Sequence, residues 1–295
     1  MLAVMNIHGV VDRSTLLADG VSAAHIQRQV RSQQWTRPRR GVYVVGAADV
    51  ARPWLQDMAI DVVAAGPSAL LSHRSASFLY GLDESSSHWR ELTVPFGSGA
   101  RGPNVHRTVH LLHASSVHGL PVVSVQVCLA QLGVVVDVDG VEIALESALR
   151  KGIVTEDALR ARVGSGLSRV NGAVGLVAAL DRRPPGIVPT GSFLETRFVQ
   201  VSRRAGLPEF ERQVEIRRSD GRLIGKVDFA FRPTRLAVEC DGVEFHGNEQ
   251  IDADNARQNA MELAGWHFAR FTYRQIMHDP DYVIRTLRAW MARAA

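Results

Sequence analysis

The sequence predicts an α/β protein, α+β in its tail, built in three segments: residues 1–50, 51–185 and 186–295. Three observations carry that reading. Helix and strand signals succeed one another along all 295 residues with no internal repeat, and that length suits two or three domains at roughly 150 residues each. The stretch 181–191, with three prolines and two glycines, opposes regular structure and parts the middle from the tail. The last hundred residues fall into an αβββαβ order. Hydrophobic residues at 46% and charged residues at 22% are ordinary for a chain with packed cores, which excludes disordered, collagen-like and disulfide-stapled classes.

In the head, Asp12 caps a short helix that ends near Gly20, and Ser22 caps a second over residues 23–32. On that second helix Ile26 and Val30 face inward, while Arg28 and Arg31 face outward. Residues 35–45 read as two short strands around a basic turn. Helix, turn, helix and basic hairpin is the order of a winged helix-turn-helix, with Arg28, Arg31, Arg37, Arg39 and Arg40 as the DNA-binding candidates and double-stranded DNA as the expected partner. An exposed charged face on a small helical domain is the competing reading. Charge supports the first: the net +4 is concentrated in residues 1–50, with six Arg against three Asp, whereas residues 51–190 balance at 12 each and residues 191–295 carry 16 cations against 15 acids. The 34 cations are 32 Arg and two Lys, Lys151 and Lys226. A G+C-rich genome would account for such an arginine excess as readily as phosphate binding would, but with two lysines each lysine's position becomes informative.

The middle reads as mixed α/β, with helices over 55–65, 72–80 and 141–150 and strands over 91–95, 109–112 and 122–127. His73, Arg74 and Ser75 open an apolar helix and read as a cap and hydrogen-bond anchor. His106, His110, His113 and His118 lack the tight spacing of a metal site. Cys128 and Cys240 lie far apart in apolar runs, as small buried thiols in a reducing compartment do. Residues 1–11 have no signal-peptide pattern, and the most apolar stretch, 121–136, is too short to span a bilayer. A cytoplasmic protein with no membrane partner is expected.

The tail, residues 186–295, holds the chemistry. Its order is helix (192–205), strands (213–217, 223–231, 236–241), helix (255–264), strand (267–271) and helix (282–294), with a capping box available between Ser192 and Glu195. If Pro233 and Thr234 are the central turn residues, Asp228 opposes Glu239, Ala230 opposes Ala237 and Lys226 opposes Asp241. The other face then pairs Val227 with Cys240, Phe229 with Val238 and Phe231 with Leu236, all apolar, which specifies the register because a one-residue slip would bury the carboxylates. Three carboxylates and one ammonium thus share a small sheet face. Directly opposed like charges are destabilising, so a cation is wanted there; Lys226 is one source and a hard divalent metal is another.

Several of these segments together resemble a known family. Ser192-Phe-Leu-Glu195, Lys226-Val-Asp-Phe-Ala230, Ala237-Val-Glu-Cys-Asp-Gly242, His246, Asp254-Asn-Ala-Arg257 and Gly265-Trp-His-Phe-Ala-Arg-Phe271 are similar to an actinobacterial domain family of unknown function akin to very-short-patch-repair endonucleases, within the PD-(D/E)XK superfamily. Leu16-Leu-Ala-Asp-Gly-Val-Ser22, Gly41-Val-Tyr43 and Leu71-Ser-His-Arg-Ser-Ala76 resemble the winged-helix region of abortive-infection antitoxins.

The first resemblance implies a restriction-endonuclease-like domain whose Asp228, Glu239 and Glu195 bind Mg²⁺ or Mn²⁺. Asp241, Lys226, His246 and Arg257 are the further candidates for the catalytic set, with a loop-packing histidine as the competing reading of His246 and a surface ion pair with Asp254 as that of Arg257. Asp241 stands where the superfamily has its lysine, and Lys226, across the hairpin, is the candidate replacement; a cross-strand salt bridge is the alternative. The expected function is a metal-dependent DNA endonuclease guided by a winged helix. The alternative is an antitoxin-type DNA-binding regulator with an inactive nuclease-like domain and a cognate toxin as partner. A homodimer is compatible with either.

Overall fold

The computed structural model describes residues 7–102, 104–109, 114–184, 186–242 and 248–294, with backbone alone for 248–254 and 294. The chain divides into two compact units, Met1–Ala144 with Val154–Ala178, and Leu145–Ile153 with Ala179–Ala295. Among the described residues no helix is long and apolar enough to cross a membrane.

The first unit opens with β1 (Val10–Asp12), α1 (Arg13–Ala18), α2 (Ala23–Arg31), β2 (Thr36–Arg39) and β3 (Val42–Val44), whose strands form a sheet in the order β1-β3-β2. The expected caps are in place. The Asp12 carboxylate accepts from the Thr15 amide at 2.9 Å and the Ser22 hydroxyl from the His25 amide at 3.2 Å, satisfying donors that a helix start leaves unpaired. Val11, Leu16, Ile26 and Tyr43 form the small core between helices and sheet.

There follow α3 (Trp54–Ala65), β4 (Leu70–Leu71), α4 (His73–Leu79), β5 (Leu92–Pro95), β6 (Val105–Thr108), β7 (Ala114–Val117), β8 (Leu120–Val123), α5 (Val125–Leu132), α6 (Val138–Arg150), α7 (Glu156–Gly164) and α8 (Ala173–Asp181). The five strands make one mixed sheet in the order β6-β5-β4-β8-β7. One sequence expectation needs correction here. The strand expected over 122–127 stops at Val123, because Ser124 caps α5 through the Val127 amide; short β-branched runs do not distinguish strand from buried helix. Of the strand expected over 109–112 only Val109 is described, just past the end of β6; residues 110–112, like His110 and His113, are outside the described residues. Helices α7 and α8 have no counterpart among the sequence expectations.

The second unit contains α9 (Phe193–Arg204), β9 (Glu211–Arg217), β10 (Leu223–Phe231), β11 (Leu236–Asp241), α10 (Asn248–Leu263), β12 (His267–Thr272), α11 (Tyr273–His278) and α12 (Pro280–Met291). The sheet order is β12-β11-β10-β9, antiparallel except for the β11/β12 pair, whose crossover is α10. The αβββαβ order stands, with α10 starting seven residues before the expected Asn255 and α11 added: Thr272 and Gln275 close a capping box there.

One face of this sheet packs on α9, α11 and α12 through Phe198, Phe229, Val238, Phe271, Ile276 and Leu287. The other packs on α10 through Val214, Ile216, Val227, Ala230, Ala237 and Met261. A buried charge network braces the unit. Glu146 pairs with Arg183 and, at 3.1 Å, with Arg212, and accepts the Thr190 amide at 3.0 Å. Arg183 and Arg212 in turn donate to the carbonyls of Ile187 and Val188, fixing the proline-containing connection.

Candidate active site

The β10/β11 register is the one the sequence specifies: Phe229 faces Val238, Ala230 faces Ala237 and Phe231 faces Leu236. Beyond Phe229 toward the start of β10 the ladder gives way. Oδ2 of Asp228 accepts the Cys240 amide at 2.8 Å, so a side chain takes the place of a backbone acceptor. The expected uninterrupted apolar face is therefore corrected: Val227 packs with Ala230 and Ala237 on the α10 side, while Phe229 packs toward α9. Strict alternation breaks at Asp228.

Glu195 sits in the first turn of α9, positioned by the Ser192 cap at 3.1 Å. Its Oε2 accepts the Gly191 amide at 2.6 Å and the Gln213 side-chain amide at 2.7 Å. The carboxylate thus reaches one residue beyond the Ser192 amide that a capping box would use. A Cβ on Gly191 would stand 2.7 Å from Oε1 of Glu195, so a side chain there would displace the carboxylate from its present position. Gln213 has φ +56°, a conformation uncommon outside glycine. A non-glycine residue held there beside a buried carboxylate is the kind of local strain that clusters at functional sites.

Glu239, 7% exposed, is bracketed by two guanidiniums: Oε1 meets Arg257 at 2.9 Å and Oε2 meets Arg270 at 2.7 Å. Arg257 also donates to the Lys226 carbonyl at 3.0 Å and lies so close to Gly225 that a Cβ there would be 2.9 Å from its Cδ. Lys226 is exposed and pairs in the ladder with Glu215. The described residues show no ion pair between Lys226 and Asp241; the lysine charge acts on Asp228, where it favours the ionised form.

The electrostatics single out these acids. Burial raises the pKa of Glu195, and the neighbouring Asp228 adds to it. Burial likewise raises Asp228, offset in part by the Cys240 amide and reinforced by Asp241. Glu239 is raised by burial even against Arg257 and Arg270. Burial lifts the Cys240 thiol well above its ordinary value, and all four carboxylates push the same way, so it is an inert thiol. The structure thus brings together Glu195, Asp228, Glu239, Asp241, Lys226 and Arg257. His246 lies outside the described residues, as do the side chain of Asp254 and Glu244.

Two contributors escape a reading of the sequence. Arg270 carries no functional mark of its own, although the parallel register that sets it against Glu239 follows once β11 and β12 are paired. Gln213 gives no signal at all.

In the first unit, Arg28 and Arg31 are exposed on the last turn of α2, Arg37 lies over the Tyr43 ring and Arg40 is exposed at the hairpin turn. Arg39 is committed to the buried Asp61. The His73–Ser75 cluster is an anchor: Arg74 grips Glu91 through its backbone amide and guanidinium at 2.8–3.1 Å, and Ser75 links Trp89 to the Glu91 amide.

The comparison that bears on this site is a protein-family model, REase_MTES_1575, which matches residues 210–291. Those residues run from β9 to α12 and contain Asp228, Glu239, Asp241, Arg257 and Arg270. This part of the chain is a restriction-endonuclease-like domain. Glu195, on α9, comes to the endonuclease-like site from outside the matched residues. Two relatives from Mycobacterium tuberculosis, the uncharacterized proteins MT2308 and Rv2248, are each 24% identical to the chain over 276 residues, covering 90% of this chain and 96% of theirs. The similarity therefore runs through both units and not the endonuclease-like part alone.

Proposed function

We propose that the protein is a metal-dependent DNA endonuclease of the very-short-patch-repair-like kind, carried to duplex DNA by its amino-terminal helices and basic hairpin, read as a winged helix. The observation that carries this is the cluster of the buried Glu195 and Glu239 with the half-buried Asp228, acids with raised pKa values gathered where two strands of a restriction-endonuclease-like sheet part. Clustered carboxylates whose pKa values are raised by burial and by one another are candidates for a functional site.

The residues suit a hard divalent cation by their chemistry. Among the described residues no three acidic, His or Cys side chains form a ready-made ligand set. Mg²⁺ needs no such set, since it takes one or two carboxylates with water and phosphate oxygens. Asp228 and Glu195 would hold it, with Glu239 as the third acid, and Mn²⁺ is an acceptable substitute. Such an ion would lower the pKa of attacking water and neutralise charge on the scissile phosphate.

The chain's own groups do the rest. Arg257 and Arg270 bring two guanidiniums to the site, the fork geometry that suits phosphate. Lys226 supplies an ammonium near Asp228, the role left open by Asp241. The Cys240 amide fixes the Asp228 carboxylate, and Gly191 with Gln213 fixes Glu195.

A second reading, an antitoxin-type regulator whose nuclease-like domain is inactive and whose partner is a toxin, is favoured by the saturation of Glu239 with arginine. Mg²⁺ or Mn²⁺ titrated into mismatched and matched labelled duplexes, with EDTA and Asp228→Ala controls, separates the two. Metal-dependent strand cleavage lost in Asp228→Ala supports the endonuclease; salt-sensitive binding with no cleavage under any metal supports the regulator.

A further inference from the structure

A second surface of the endonuclease-like unit has a chemistry the candidate active site does not use. Between the edge strand β9 and the carboxy-terminal half of α10 runs an open groove of about 900 Å³. Arg217, Arg218, Arg232 and Arg235 line it, against a single acid, Glu215. These arginines are exposed but not loose. Arg217 is held by Glu215 at 2.6 Å, Arg232 by Glu211 at 2.7 Å, and Arg235 donates to the Ala264 carbonyl at 3.3 Å.

The floor between them is apolar: Leu263 is 90% exposed and Trp266 half-buried. Scattered exposed apolar residues are normal on a surface. An exposed leucine and an indole ringed by four guanidiniums are a different combination, because phosphates seek the guanidiniums and unpaired bases seek aromatic and apolar faces. That pairing of a basic track with stacking surfaces is what sequence-tolerant single-strand binding uses. The groove also shares a helix with the candidate site. Arg257, which meets Glu239, and Met261, whose Cε abuts Gly225, lie on α10 within two turns of Leu263.

We propose that this groove binds single-stranded DNA, its phosphates on Arg217, Arg218, Arg232 and Arg235 and its bases against Trp266 and Leu263. For an endonuclease the strand would be the unpaired segment at a mismatch or nick; that assignment rests on the proposed function, whereas the binding itself does not.

The test is fluorescence anisotropy of the full chain in EDTA with labelled dT20, a blunt 20-base-pair duplex, U20 and an abasic 20-mer. Working without metal keeps it independent of cleavage, so failure here and failure of the endonuclease reading are distinguishable. The variants are Arg217→Ala/Arg218→Ala, the same pair combined with Arg232→Ala/Arg235→Ala, and Leu263→Glu, each confirmed as folded by circular dichroism. Leu263→Glu alters a side chain that lies almost wholly in solvent, so the test does not depend on truncating the partly packed Trp266.

The expected result is at least a tenfold loss of dT20 affinity in the fourfold variant. Its salt slope should be shallower by about 0.7 for each arginine that neutralises a phosphate. Leu263→Glu should show a clear loss, the duplex should change less, and the abasic strand should bind more weakly than dT20. Unchanged dT20 affinity and slope would overturn the proposal. So would equal losses for duplex and dT20, equal binding of abasic strand and dT20, or losses confined to U20.

Discussion

Replacing Asp228 with Asn is expected to stabilise the protein and, in the same step, to abolish its response to a divalent cation. Burial raises the Asp228 pKa and Asp241 adds to it, more than Arg257, Lys226 and the Cys240 amide offset. An acid whose folded pKa lies above its unfolded value favours the protonated folded state. Its ionised form therefore costs stability at neutral pH, a cost that sets in as pH rises above the unfolded value and is complete above the folded one. Asparagine removes the charge and keeps an oxygen for the Cys240 amide, so the hydrogen bond at 2.8 Å need not be lost. Relief of a functional-site conflict of this kind contributes about 0.5–2 kcal/mol, which raises the melting temperature by about 2–4 °C per kcal/mol in a domain of this class. Added Mg²⁺ at ten times its Kd stabilises a binding-competent chain by about 1.4 kcal/mol. Melts followed by tryptophan fluorescence should therefore cross: the variant higher in EDTA, and only the wild type rising with Mg²⁺. A variant that melts lower in EDTA, or that gains as much from Mg²⁺ as the wild type, refutes the reasoning.

Glu146→Gln should destabilise the second unit by about 3–5 kcal/mol, since it strips the counter-charge from the buried Arg183 and Arg212; urea denaturation of the full chain measures it. In the first unit, burial holds His73 down to about 3, while His106 and Arg74 outweigh burial to hold Glu91 down to about 2. Both folded values are depressed, so both contributions are full above the unfolded values and are lost as pH falls, for His73 from about 6.5 and for Glu91 from about 4.5. His73→Gln should then flatten the stability profile between pH 6.5 and 3 in pH-dependent melts. Arg28→Ala/Arg31→Ala should weaken duplex binding and reduce its salt slope by about 0.9 for each phosphate that is no longer neutralised, whereas Arg39→Ala should instead cost stability, because the buried Asp61 loses one of its two arginine partners and keeps only Arg90.

The hairpin register and the three caps at Asp12, Ser22 and Ser192 were legible because each rests on a local, one-dimensional pattern: a turn with alternation on both sides, or a hydroxyl or carboxylate just before an apolar period. The break at Asp228 was not legible, because it arises when a side chain replaces a backbone acceptor, and alternation presumes an intact ladder. Arg270 was half legible, as strand pairing places it against Glu239 and it lies within the Gly265–Phe271 segment that carries the resemblance, yet on its own it reads as a structural residue. The roles of Gly191 and Gln213 depend on a close approach between α9 and β9, segments joined only by the fold. Helix α5 was hidden by valines that serve strand and buried helix alike.

The central claim, that the acids between α9 and the β10/β11 hairpin support metal-dependent phosphodiester cleavage, is tested most directly by single-turnover nicking of supercoiled plasmid across a Mg²⁺ series. Wild type, Asp228→Asn, Glu195→Gln and Lys226→Met would be compared at equal folded concentration. The predicted result is wild-type nicking that saturates with Mg²⁺ and falls by at least a hundredfold in each variant. Nicking that persists in EDTA, or that Asp228→Asn leaves intact, would contradict the account.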